Sequence, residues 1–169
     1  MRSLRKHDAM RIFKTWVNSW ATSSRFHEAV QLPCLFGCAD GLDQQSHYAM
    51  CPILFHLTAQ CIHVSEWPLE RIGLCNPCSQ SLKAVACVFS AYHAVKRSTI
   101  VKSLGESGSL EQPRLENDQC LIIHGLFADT LWVEANEVRL SPTRFRPCIN
   151  SVWHTRRGSE SVGSNHHLL

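Results

Sequence analysis

Apolar residues recur at helical spacing over 8–20, 53–64 and 78–103 of this 169-residue chain. Between the first two runs one short segment, CLFGCADGLDQQSHYAMC at 34–51, holds three cysteines and a histidine. Together these observations predict a mainly α fold: a small helical domain over 8–103 built around one Cys3His zinc knuckle. A linker over 104–119, a short α/β segment over 120–156 and a poorly ordered tail over 157–169 are expected to follow.

The first helix is read from DAMRIFKTWVNSW (8–20). Ile12, Phe13, Trp16, Val17 and Trp20 fall on one side, with Arg11, Lys14 and Asn18 outside. That stripe predicts burial of both tryptophans. The polar start of 21–30 turns the chain, Pro33 opens the cysteine-rich segment and Pro52 closes it. ILFHLTAQCIHV (53–64) reads as an apolar helix that ends before Trp67-Pro68. Asn76 is expected to cap the next helix, with Pro77 at its first position. That helix is expected to run from 78 to 103 with Leu82, Val85, Ala86, Phe89 and Tyr92 on one stripe. GESGSLEQPRLEND (105–118) has a linker composition. CLIIHGLFADTLWVEA (120–135) fits a short strand pair or a helix equally well.

Bulk composition narrows the function classes. A hydrophobic content of 44% permits a core, and a charged content of 18% lies below the roughly 25% of a typical soluble domain. A net charge of +3 is too weak on its own to mark a nucleic-acid-binding protein. The charges are segregated, however. Residues 1–27 carry six Lys and Arg against Asp8, 104–137 carry seven acids against Arg114, and Arg139, Arg144, Arg146, Arg156 and Arg157 follow. Such blocks suggest separate segments. Nine cysteines, an odd number, stand without an apolar stretch behind MRSLRKHDAM, and no run approaches the ~20 apolar residues that span a bilayer. An intracellular, reducing location in nucleus or cytoplasm is expected, with no membrane partner. There clustered cysteines serve metals or catalysis before disulfides.

Small structural zinc sites take four ligands as two close pairs joined by a loop. Cys34 and Cys38 would form one pair, with Gly37 supplying the free backbone dihedrals of a tight wrap. Asp43 would cap a short helix from Gln44 to Met50, and Pro52 would end it. His47 and Cys51 would then share one face, four residues apart. Three thiolates and one imidazole make a closed, weakly Lewis-acidic and structural site. The competing reading is of buried thiols and a core histidine.

Three further groups stand out. Cys61, His63, Cys75 and Cys78 offer a second metal site, or Cys75-Asn-Pro-Cys78 a redox dithiol, or the thiols are ordinary. Arg11, Lys14, Arg25, Lys96 and Arg97 are candidate phosphate contacts for RNA or DNA. FADT (127–130) imitates a polymerase aspartate element, but two-metal chemistry needs grouped carboxylates and Asp129 is followed by Thr130. No Ser-His-Asp order, phosphate loop or paired glutamates point to an enzyme.

NSWATSSRFHE (18–28), LPCLFGC (32–38) and D-x2-S-HYAMCP (43–52), with the helix LKAVACVFSAYHAVKR (82–97), resemble the Cys/His region that follows the polymerase domain in non-LTR retrotransposon reverse transcriptases. The likeness covers about 8–103. It implies that Cys34, Cys38, His47 and Cys51 bind Zn²⁺ and that the segment is a non-catalytic accessory to RNA or DNA handling. The polymerase domain is missing from this sequence, so the resemblance implies a remnant. The alternatives are a zinc-stabilised protein–protein interaction module and a thiol oxidoreductase using Cys75 and Cys78.

Overall fold

The computed structural model describes residues 4–27, 31–62, 64, 72–75, 77–106 and 115–140. Among these residues the fold is helical, with an isolated bridge between Pro33 and Leu42 as its sole β pairing. The helices are α1 (Lys6–Trp16), α2 (Gln45–Met50), α3 (Pro52–Cys61), α4 (Ser79–Lys96), α5 (Thr99–Glu106) and α6 (Asn117–Glu137). The mainly α expectation holds. The expected disordered tail and the second half of the 120–156 segment lie outside the described residues.

The core forms where α4 and α6 lie side by side, with α3 against α6 and α1 against α4. Ala84, Cys87, Ala91, Tyr92 and Val95 of α4 meet Ile123, Phe127, Leu131 and Ala135 of α6 in one buried cluster. The four α6 residues recur every fourth position, which is why 120–135 becomes a helix rather than a strand pair. Glu116 caps α6, and Gln119 returns the bond in a capping box. Residues 117–140 therefore belong to the helical unit, beyond the expected limit at 103. Of the expected 104–119 linker, 104–106 complete α5, and 107–114 lie outside the described residues.

Other boundaries move for local reasons. The expected helix over 78–103 is two, because the Ser98 hydroxyl accepts from Val101 N–H at 3.5 Å and starts α5 anew. Cys78 takes the N-cap role expected of Asn76, which is outside the described residues. The Cys78 thiol accepts from Ser81 N–H while Ser81 Oγ answers its backbone. Asp43 does not cap α2; Gln44 does, without a side-chain bond.

The largest departure concerns α1. Its helix ends at Trp16, and Asn18 takes a left-handed φ of 52° that sends Trp20 into the core by a turn. Trp20 there packs on Tyr92 at 4.6 Å and Tyr48 at 5.9 Å. Ile12 is buried as expected, but Phe13, Trp16 and Val17 face outward. The inward face carries Asp8, almost fully buried and bonded to Arg5 at 2.6 Å, and Arg11, which grips Glu134 of α6 at 2.7 and 3.1 Å. Arg5 also reaches Glu137 at 3.2 Å. Arg5 and Arg11 of the basic block thus meet Glu137 and Glu134 of the acidic one.

Candidate metal centre

The loop before α2 closes on itself. Cys34 N–H donates to Gly41 C=O at 2.7 Å, Gly37 N–H to Cys34 C=O at 3.0 Å, and Asp43 N–H to Leu32 C=O at 2.9 Å. Gly37 sits at φ 84°, the left-handed conformation expected where the chain wraps between Cys34 and Cys38. One turn of α2 then carries His47, and Cys51 ends α2 and caps α3, with Pro52 at the first helical position. Leu54 N–H donates to Cys51 Sγ at 3.4 Å, so this sulfur caps the N-terminus of α3.

The four side chains converge. One ligand atom from each of Cys34, Cys38, His47 and Cys51 lies within 4.8 Å of every other. Cys51 Sγ stands 3.8 Å from Cys34 Sγ and 3.4 Å from Cys38 Sγ. Tetrahedral Zn–S bonds of ~2.3 Å place sulfurs about 3.8 Å apart, so the cage has the dimensions of a zinc site. His47 Nε2 is buried with no hydrogen-bond partner, as a nitrogen directed at an ion would be. Gly41 makes room for that ring. A Cβ there would stand 2.4 Å from His47 Cε1 and Nε2, and 3.0 Å from Cys34 Cβ.

The thiols titrate together. Cys38 is held low, first by Cys34 and then by Cys51, whose S–H groups donate to it. Cys34 is pushed up by its bond to Cys38, then by Cys51 and by burial. Three crowded sulfurs resist ionising together, and a divalent ion held by Cys34, Cys38, His47 and Cys51 would relieve that conflict by favouring the thiolates.

Helix α6 braces the loop from behind. His124 Nε2 lies 3.1 Å from Phe36 C=O, and burial sets its pKa below the usual imidazole value against the opposing pull of the Phe36 bond and of Cys38. Cys120 Sγ would touch any side chain at Gly37, at 2.9 Å. Beside the cage lies a fully buried carboxylate, Asp43. It accepts from Ser23 N–H at 2.7 Å, from the hydroxyls of Tyr48 and Tyr92 at 2.8 Å each, and from Lys96 at 2.7 Å. Asp43, Gly41 and His124 escape sequence reasoning. The i, i+4 pair Cys120/His124 was the available signal for α6; Asp43 offered none, since its partners come from three separate segments.

The remaining candidates separate. Cys61 is buried, Cys75 and Cys78 are exposed, and His63 is outside the described residues. Among the described residues no second group of three metal-ligating side chains forms. The Ser81 hydrogen bonds hold the Cys78 thiol below its ordinary pKa. Of the candidate phosphate contacts, Arg11 is engaged by Glu134 and Lys96 by Asp43. Lys14, Arg25 and Arg97 are exposed, with Arg25 lying over the Phe26 ring at 5.1 Å. No helix among the described residues is long and apolar enough to cross a membrane.

No family model, curated protein or solved structure matches this chain. The Cys3His cage is the functional feature in hand.

Proposed function

We propose that this chain is a non-catalytic, zinc-clamped protein–protein interaction module. The convergence of Cys34, Cys38, His47 and Cys51 within 4.8 Å carries the reading. All four ligands come from the protein, so a tetrahedral zinc is left no position for water or substrate, and its role is structural. Binding worth ~10–16 kcal/mol exceeds the net stability of most domains, so the ion would decide whether α2, α3 and the loop fold. Interaction is favoured over nucleic-acid contact because two of the five candidate cations, Arg11 and Lys96, already satisfy internal carboxylates.

Contact with RNA or DNA beside a reverse transcriptase is the second reading. The exposed Lys14, Arg25 and Arg97 support it, and so does the motif resemblance. The dithiol reading keeps only the exposed Cys75 and Cys78.

Metal analysis of purified protein tests the clamp. One zinc per chain is expected, lost together with most helical circular dichroism in Cys51→Ser. A chain that folds fully with no metal would end this reading. Affinity for oligonucleotides falling steeply with salt would promote the second.

A further inference from the structure

Helix α1 is docked the wrong way round for an amphipathic helix. Its inward face holds Asp8, Arg11, Ile12 and Thr15, and its contribution to the apolar interior reduces to Ile12 against Val85 and Ala86. Its apolar ridge points away from the protein: Met10, Phe13, Trp16 and Val17 are 53%, 55%, 45% and 49% exposed. These positions follow one another at i, i+3, i+6 and i+7, a strip about 10 Å long on one side of a helix. The ridge is held rigid at one end, where Trp16 Nε1 donates to Ile72 C=O at 2.8 Å.

The exposed charge of α1 itself is of one sign. The sole acid of α1, Asp8, is 1% exposed and occupied by Arg5. The exposed polar side chains of α1 are Lys6, His7 and Lys14. A second copy of this chain would set cations against cations. Two of the four ridge residues, Met10 and Val17, have no ring on which a base would stack. A strip of anchors at i, i+3 and i+7 is the complement of another helix.

We infer that the outer face of α1 is a docking site for an acidic amphipathic helix of a partner protein, with Phe13 as the central anchor and Lys6 and Lys14 pairing its flanking carboxylates. The inference rests on the interaction-module reading and names its surface and partner chemistry. The inversion of α1 makes sense on this account: Arg5, Asp8, Arg11, Glu134 and Glu137 fasten the helix through charge, leaving its apolar ridge for the partner.

Calorimetric titration of the full chain tests this. The probe is a synthetic helical peptide with leucines on one face and glutamates along both edges. Binding is expected, weakened about tenfold or more by Phe13→Ala and by Lys14→Glu. Both sites are exposed, and unchanged circular dichroism and zinc content confirm that each variant is folded. A glutamine version of the peptide is expected to bind much more weakly. Absence of binding overturns the inference, as does binding unaffected by both substitutions. Capture of an oligo-dT strand or anionic phosphatidylglycerol vesicles through Phe13, in place of the peptide, also overturns it. Peptide binding through another face would sink the α1 assignment and leave the module reading standing. A metal-free chain that still binds through Phe13 would do the reverse.

Discussion

Asp43 joins the ligand loop to α4 with a single carboxylate. It is fully buried, and its ion-pair partner Lys96 has only 12% of its side chain exposed. Removing one member of such a pair is costly mainly because the other stays behind without its counter-charge. The two members are not equivalent here. In Asp43→Ala, the ammonium and both tyrosine hydroxyls lose their common acceptor, and a loss of ~3–5 kcal/mol is expected. In Lys96→Met, the carboxylate keeps Ser23, Tyr48 and Tyr92 as donors, so a loss of roughly half that is expected. Urea unfolding of the two variants measures the difference; equal losses would contradict this account of the hub. The convergence of Cys34, Cys38, His47 and Cys51 was legible at this scale because their spacing is local, within 34–51. Asp43 was misread as a helix cap for the opposite reason: Tyr92 and Lys96 lie some fifty positions away.

Among the elements, α4 carries a histidine whose state depends on its neighbours. His93 packs on Phe89 at 4.2 Å and stands near Trp20 and Tyr92, with Nε2 buried and unpartnered. Burial first, then the positive charges of Arg97, Lys14 and Arg11, lower its pKa to about 4. The unfolded chain takes up that proton near pH ~6.5 and the folded chain resists it until about 4, so stability is complete above the first value and drains away between them. His93→Phe is expected to flatten this part of the acid response. Thermal midpoints of wild type and variant, compared across pH 7 to 4, check it; parallel curves would refute it.

Helix periodicity was readable wherever the apolar stripe faced the interior, as in α4. It misled in α1, where periodicity reports that a helix has two faces but not which one turns inward. That choice was made by Arg5 and Arg11 with acids more than a hundred positions away.

At the scale of the whole described fold, the Cys3His cage and the helical core are one structure. Phe36, between two ligands, packs on Phe127 of α6 at 5.1 Å and on Tyr48 of α2 at 5.7 Å. His124 of α6 holds the same residue's carbonyl. If the cage holds the proposed zinc, stripping it should therefore loosen α6 as well as the loop, although α6 contributes none of the four converging side chains. Chelator treatment is expected to lower the thermal midpoint and to expose Phe36, Phe127 and their neighbours to a hydrophobic dye. Wild-type melting after complete metal removal would show that the core stands without the cage. The unit reaching to residue 140 was not legible as one domain, because the Gly- and Ser-rich composition of 105–118 reads as a boundary whatever packs beyond it.

The small apolar cluster of Ile12, Val85 and Ala86, separate from the main core, sets a hierarchy of opening. A helix secured chiefly by guanidinium–carboxylate pairs loosens with ionic strength, while the interior beneath it, built on contact between rings and methyl groups, is indifferent to salt. The first helix would thus come away as a unit in concentrated electrolyte, its amides trading hydrogen for deuterium long before those of the fourth and sixth.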